Sequence, residues 1–243
     1  MSEHLREIAA QLMKDVNLDL PPVHVSDLNS PPAGVAEHPG GVPSVCTYFA
    51  LGTEKTFYAG LPQHEDCEIG AFVLGIPPAG SYGERLMGTL ATMQKEGYLN
   101  PGEEAKVPHN ETPPKYVAYG PLGSLPMAPT SVLLFARPDS AMLALEAAGA
   151  GPDAQPVPMN GRPMCAIMPI MNHGARVAVS LGCTGSRIYT DMGRDRMVVG
   201  VRGDHLDAFA EKLSRIVHAN EWVRVEDSRR KKDAARPYHR AEH

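Results

Sequence analysis

Residues 177–187, VAVSLGCTGSR, decide how this chain reads. Val177 to Leu181 is a β-branched, apolar run with the composition of a short strand. It passes into Gly182-Cys183-Thr184-Gly185-Ser186, where glycine permits a tight turn and a close backbone approach. If residues 184 to 190 begin a helix, Cys183 stands at its N-terminus. Free N–H groups and the helix dipole would then draw the thiol toward thiolate, and Arg187 adds positive charge one turn on. The first half of the chain holds a counterpart, Cys67-Glu68-Ile69-Gly70-Ala71, so Cys67 takes the equivalent place. Each of these cysteines has an earlier companion, Cys46 before Cys67 and Cys165 before Cys183. The cysteines thus form two matched pairs, one pair in each half.

Outward from these pairs, the chain alternates between helical and strand-like stretches. Leu5, Ile8, Leu12 and Val16 recur at helical spacing, which predicts a helix over 3–16 that Pro21-Pro22 ends. Val23 to Val25 reads as a short strand, and 29–43 as loop. Residues 44–51 and 55–59 read as strand-like or mixed. The apolar run IGAFVLGI after Cys67 fits a buried helix or a strand equally well. Helical spacing returns over 82–96. Lys115 to Tyr119 and Ser131 to Ala136 are the clearest strands, and Pro138 opens a helix that Gly149 closes. After a proline-rich loop over 151–163, Met164 to Ile170, Arg176 to Leu181 and Met197 to Val201 are expected as strands. Asp204 is placed to cap a closing helix over 204–219.

The order of these elements looks duplicated. In each half a strand precedes the first cysteine, the second cysteine follows, and a helix closes the unit. Helix 139–148 is extra. The expected fold is therefore α+β, or an irregular α/β, with two related halves of short mixed strands, flanking helices and a pseudo-two-fold relation. One compact domain is expected over 1–221, divided into 17–114 and 115–221, with a polar tail over 222–243.

Composition sets outer bounds. The chain has 243 residues, 43% hydrophobic and 21% charged, with a net charge of −5, 23 prolines and 23 glycines. An acidic balance gives no electrostatic case for nucleic acid or an anionic membrane. No apolar run reaches the length of a membrane span, and the N-terminus lacks a signal-peptide block, so the reading is cytoplasmic. The run Arg229-Arg230-Lys231-Lys232 reads as part of a solvated tail. Four cysteines are too few for a disulfide scaffold, and a reducing compartment keeps them as thiols or metal ligands.

Three roles compete for these thiols. Cys46, Cys67, Cys165 and Cys183 together match the ligand count of one zinc or one iron–sulfur cluster, although no C-x-x-C motif is present. Alternatively Cys67 and Cys183 act as nucleophile or redox pair, as in a thiol-dependent enzyme. In the third, the cysteines are small buried residues and the protein is a metal-free module or sensor. Its glycine-rich turns would then receive a small-molecule or anionic ligand at Gly70, Gly182, Thr184, Gly185, Ser186 and Arg187. His64, three residues before Cys67, reads as a surface-loop histidine and His173 as a turn residue. Met159, Met164, Met168 and Met171 read as core. Neither a G-x-S-x-G nor a G-x-G-x-x-G motif occurs.

Several of these segments carry a resemblance. Cys67-Glu68-Ile69-Gly70-Ala71 with Leu74-Gly75, Tyr119-Gly120-Pro121-Leu122 before SVLLFA, Pro138 with its Ala-rich helix, and Cys165 with SLGCTGSR are similar to the domain of unknown function 169 family. The resemblance spans about residues 5–218. It implies a fold neighbourhood and no activity, and it carries no catalytic residue over. Members of the family occur in anaerobes and archaea, which favours an oxygen-sensitive metal centre over a disulfide.

Overall fold

Amphipathic spacing sets the first helix of the computed structural model, which describes residues 1–149 and 154–233. Leu5, Ile8 and Leu12 bury one face of α1 (Ser2–Asp15). The chain then forms β1 (Val23–Leu28), α2 (Val45–Leu51), β2 (Phe57–Gly60), α3 (Leu61–His64), α4 (Glu68–Val73) and α5 (Gly80–Lys95). After β3 (Tyr116–Pro121) and β4 (Ser131–Ala136) come α6 (Pro138–Gly149), β5 (Met159–Asn160), α7 (Ile167–Asn172), β6 (Val177–Ser180) and α8 (Thr184–Tyr189). β7 (Met197–Arg202) and α9 (Leu206–Asp233) complete the described residues.

The seven strands form one sheet in the order β2-β3-β1-β4-β7-β6-β5. All pairings are antiparallel except β5 with β6. Strand alternation divides the inward residues between two cores. Val23 and Val25 of β1, Val117 and Tyr119 of β3, and Leu133 and Phe135 of β4 face a layer that includes α2, α4, α5 and α7. Val132 and Leu134, with Val199 and Val201, face α1, α6 and α9 on the opposite side. The result is the expected α+β fold, with its seven strands in one sheet between two helical layers.

Strand connectivity repeats. β1 pairs with β3, which pairs with β2; β4 pairs with β7, which pairs with β6. The two triplets meet where β1 lies antiparallel to β4, with Val25 opposite Ser131. This correspondence revises the matching of helices. α5 lies between β2 and β3, whereas α9 follows β7, so the two closing helices are not equivalents.

Several local readings change or are resolved. Residues 45–51 are helical because Ser44 caps them, its Oγ accepting from Thr47 N at 3.2 Å. The ambiguous run after Cys67 is also helical, as α4. Residues 164–166 form a 3₁₀ turn that leads into α7, where a strand was expected. Met164, Ile167, Met168 and Met171 are all buried there, and a helix apolar on every side leaves no periodicity to separate it from a strand. Met159, by contrast, is exposed rather than core. Asp204 lies in a 3₁₀ turn (Gly203–His205) with its Oδ1 accepting from Arg202 Nε at 2.6 Å, and α9 begins after it. α9 also runs through the expected tail as far as Asp233. Arg229 and Arg230 pair with Glu226 in this stretch, and Lys231 with Asp227. The rest of that tail, and residues 151–153 of the expected proline-rich loop, lie outside the described residues. No described helix is long and apolar enough to cross a membrane.

Candidate functional site: a thiol cluster on one face of the sheet

The four cysteines come from four separate elements on one side of the sheet. Cys46 lies in the first turn of α2 and Cys165 in the 164–166 turn, both buried. Cys67 and Cys183, half-buried, are the N-caps of α4 and α8. All four are free thiols. α2 packs against α4, α8 and the 164–166 turn, and α4 against the same turn. Thr47 Oγ1 donates to Tyr189 O at 3.1 Å, which ties the two halves together beside the sulfurs.

Cys165 is the centre of this arrangement. Its thiol is hydrogen-bonded with Cys46, and that bond is the largest reason its pKa stands well above the ordinary thiol value. Burial adds to the rise, followed by the charges that Cys46, Cys67 and Cys183 would carry. Cysteines from both halves are therefore within electrostatic reach of one buried sulfur.

The capping sulfurs replace oxygen in a familiar role. Cys67 Sγ accepts from Gly70 N at 3.3 Å, and Cys183 Sγ accepts from Ser186 N at 3.4 Å. Such N–H donors stabilise charge on sulfur. At Cys67 they do not prevail. Burial pushes its pKa up to about 11, while backbone bonds from Val45 and Gly70 pull the other way. The expected depressed thiolate at this helix start is thus corrected: the dipole of a six-residue helix is outweighed by desolvation.

The turn around Cys183 is closed by its own groups. Ser186 Oγ accepts from Cys183 N at 2.9 Å and donates to Cys183 O at 2.8 Å. Gly182 takes a φ of +85° and its N donates to Ser180 Oγ at 3.2 Å. Arg187 donates to the carbonyls of Gly193, Leu181 and Arg196 at 2.7, 2.6 and 2.8 Å. Its guanidinium braces the loop before β7. Gly70 is a packing position, because a Cβ there would stand 2.4 Å from Val45 Cγ2. A Cβ at Gly185 would meet the Tyr189 ring at 3.8 Å and the Cys183 sulfur at 4.0 Å, ordinary contact distances, and Thr184 is exposed.

Beside the thiols lies a buried aromatic group that the sequence reading missed. His64 is 1% exposed, not a surface histidine. Its Nδ1 meets Gly60 O at 2.6 Å and its Nε2 meets Tyr119 Oη at 2.9 Å. Burial lowers the His64 pKa to about 4. Tyr119 stacks on Tyr48 with ring centroids 5.5 Å apart. Burial holds the Tyr119 phenol protonated, and the charges of Asp27, Tyr48, Cys165 and Cys46 reinforce this. Strand alternation places Tyr119 inward beside Val117, the one sequence signal that could have found it.

The donor set suits a soft metal in composition: four sulfurs, N–H···S bonds at two of them, and burial of the other two. The spacing is not closed. Among the described residues, no group of three or more His, Cys, Asp or Glu side chains is arranged to hold a metal ion as it stands.

A family model described as DUF169, Uncharacterised ArCR, matches residues 11–212. No curated protein and no solved structure matches the chain.

Proposed function

The chain belongs to the DUF169 family, whose description carries no activity, and we propose from the thiol geometry that it binds one soft metal ion or iron–sulfur cluster. Cys46, Cys67, Cys165 and Cys183 are the ligands. The observation that carries this reading is the position of Cys165, hydrogen-bonded to Cys46 and influenced by both capping cysteines. The four would bind as thiolates, so metal uptake would release the thiol protons. When bound, a cluster would supply electron transfer and zinc would supply Lewis-acid chemistry. The chain's own residues bury Cys46 and Cys165, donate N–H bonds to Cys67 and Cys183 and hold the neighbouring phenol in place. A reducing, cytoplasmic setting keeps the four thiols free for this role.

A thiol nucleophile is less well supported. A catalytic cysteine needs its thiolate near neutral pH, yet burial raises Cys67 to about 11, and the bond with Cys46 together with burial holds Cys165 well above the ordinary thiol value.

The test is anaerobic purification followed by metal and sulfide analysis and a visible spectrum. The expected result is stoichiometric zinc, or iron with a thiolate-to-iron absorption band, lost in Cys165→Ala. A colourless, metal-free protein whose stability is unchanged by chelator and by added zinc or iron would refute it.

A further inference from the structure

A second feature lies on the thiol side of the sheet and is independent of the metal proposal. β1 places Asp27 on the same face as Val23 and Val25. There it lines a cleft of about 570 Å³ with Asn29, Asn110, Glu111, Asn172 and His173. This volume falls within the range of about 300–1,000 Å³ typical of small-molecule sites.

The walls are fixed from separate parts of the chain. Asn172 Nδ2 donates to Asp27 Oδ2 at 3.2 Å and to Asn110 Oδ1 at 3.0 Å. Asp27 N donates to Thr130 Oγ1 at 3.0 Å. Asn110 is buried, and its N donates to Val73 O at 3.0 Å. Gly75, at φ +81°, lets the Asn110 carbonyl lie where a Cβ would stand 2.2 Å away. The carboxyl at the base of this framework is incomplete: Asp27 Oδ1 is covered from solvent and has no hydrogen-bond partner. Burial accordingly raises the Asp27 pKa.

The chemistry of the lining selects the ligand. Asp27 and Glu111 are carboxylates, and no lysine or arginine lines the cleft, so an anion is disfavoured. A hard metal ion needs about six or more oxygen ligands. Here Asp27 Oδ2 and Asn110 Oδ1 already accept from Asn172. Leu28, Pro113 and Pro114 add apolar wall suited to a carbon skeleton. We infer that this cleft binds a small organic cation, an ammonium-bearing molecule whose charge is answered by the carboxylates of Asp27 and Glu111.

Isothermal titration of the full chain with putrescine, with butanediol as its uncharged analogue and with calcium chloride tests the inference. Putrescine is expected to bind saturably, and butanediol and calcium are not. Asp27→Asn, its fold checked by circular dichroism, is expected to weaken putrescine by about tenfold or more, equal to ~1.4 kcal/mol. Two further variants alter exposed positions and keep the test decisive should Asp27→Asn fail to fold. Glu111→Gln weakens putrescine, and Thr112→Lys, which puts a cation in the cleft, abolishes binding. Absence of putrescine binding, equal binding of the diol, binding of calcium in place of the amine, or unchanged affinity in a folded variant overturns the inference.

Discussion

Replacing Tyr119 with phenylalanine isolates one hydrogen bond in the wall of the thiol site. The Gly60 carbonyl can only accept, so His64 Nδ1 carries the proton in their 2.6 Å contact. With the His64 pKa near 4, the ring is neutral at pH 7. Nε2 therefore offers a lone pair, and Tyr119 Oη donates to it at 2.9 Å. Both residues are at most 1% exposed, so water does not take the place of a lost hydroxyl. Tyr119→Phe leaves a buried acceptor unanswered, a penalty of about 1–3 kcal/mol. For a chain of this size, that is a fall in Tm of roughly 3–10 °C. His64→Leu removes the acceptor and leaves the Tyr119 hydroxyl unpaired. In the double variant neither orphan remains. Urea denaturation of all four proteins should give a coupling energy of about 1 kcal/mol or more. A Tyr119→Phe protein within about 0.3 kcal/mol of the parent, or strictly additive losses, would refute the assigned tautomer and the bond.

Three other outcomes follow from the same geometry. His24 and His64 are both buried with pKa values lowered from 6.5 to about 4, so the unfolded chain binds more protons between those limits. Their stabilising effect is complete above pH 6.5 and lost as pH falls toward 4, by about 3 kcal/mol for each; a urea midpoint that does not drop across this window contradicts it. Gly70→Ala drives a Cβ to 2.4 Å from Val45 Cγ2 and 3.0 Å from Cys67 Sγ, and is expected to lower unfolding stability by about 1–3 kcal/mol, with wild-type stability the opposing result. In metal-free protein at pH 7, iodoacetamide should label Cys67 about a hundredfold more slowly than an ordinary thiol, as two pKa units of burial imply; peptide mass spectrometry showing normal labelling would count against it.

The sequence disclosed elements wherever one face was apolar and the other polar. β4 and α6 run as their composition predicts, and α1 keeps its buried Leu5, Ile8 and Leu12. Periodicity failed where burial was complete, as at Met164 to Met171. Cys67 and Cys183 stood out because each precedes a glycine turn, and both are caps. His64, Tyr119 and Asp27 gave no such sign. Gly60 O lies one turn from His64, but the His64–Tyr119 and Asp27–Asn172 contacts are assembled only through tertiary folding, and burial sets the environment of all three residues.

The junction of β1 with β4 bears on how the molecule is made. β1 has β3 on one side, available once Pro121 has emerged from the ribosome, but its other edge waits for β4. Until then the nascent chain displays a bare strand and two sulfurs without their companions. A bare edge is a template for a neighbouring polypeptide, and the first half of a second chain offers a strand of the same kind. The centre of the finished sheet is therefore a seam that only the arrival of β4 closes, and until then a point at which synthesis is open to mispairing.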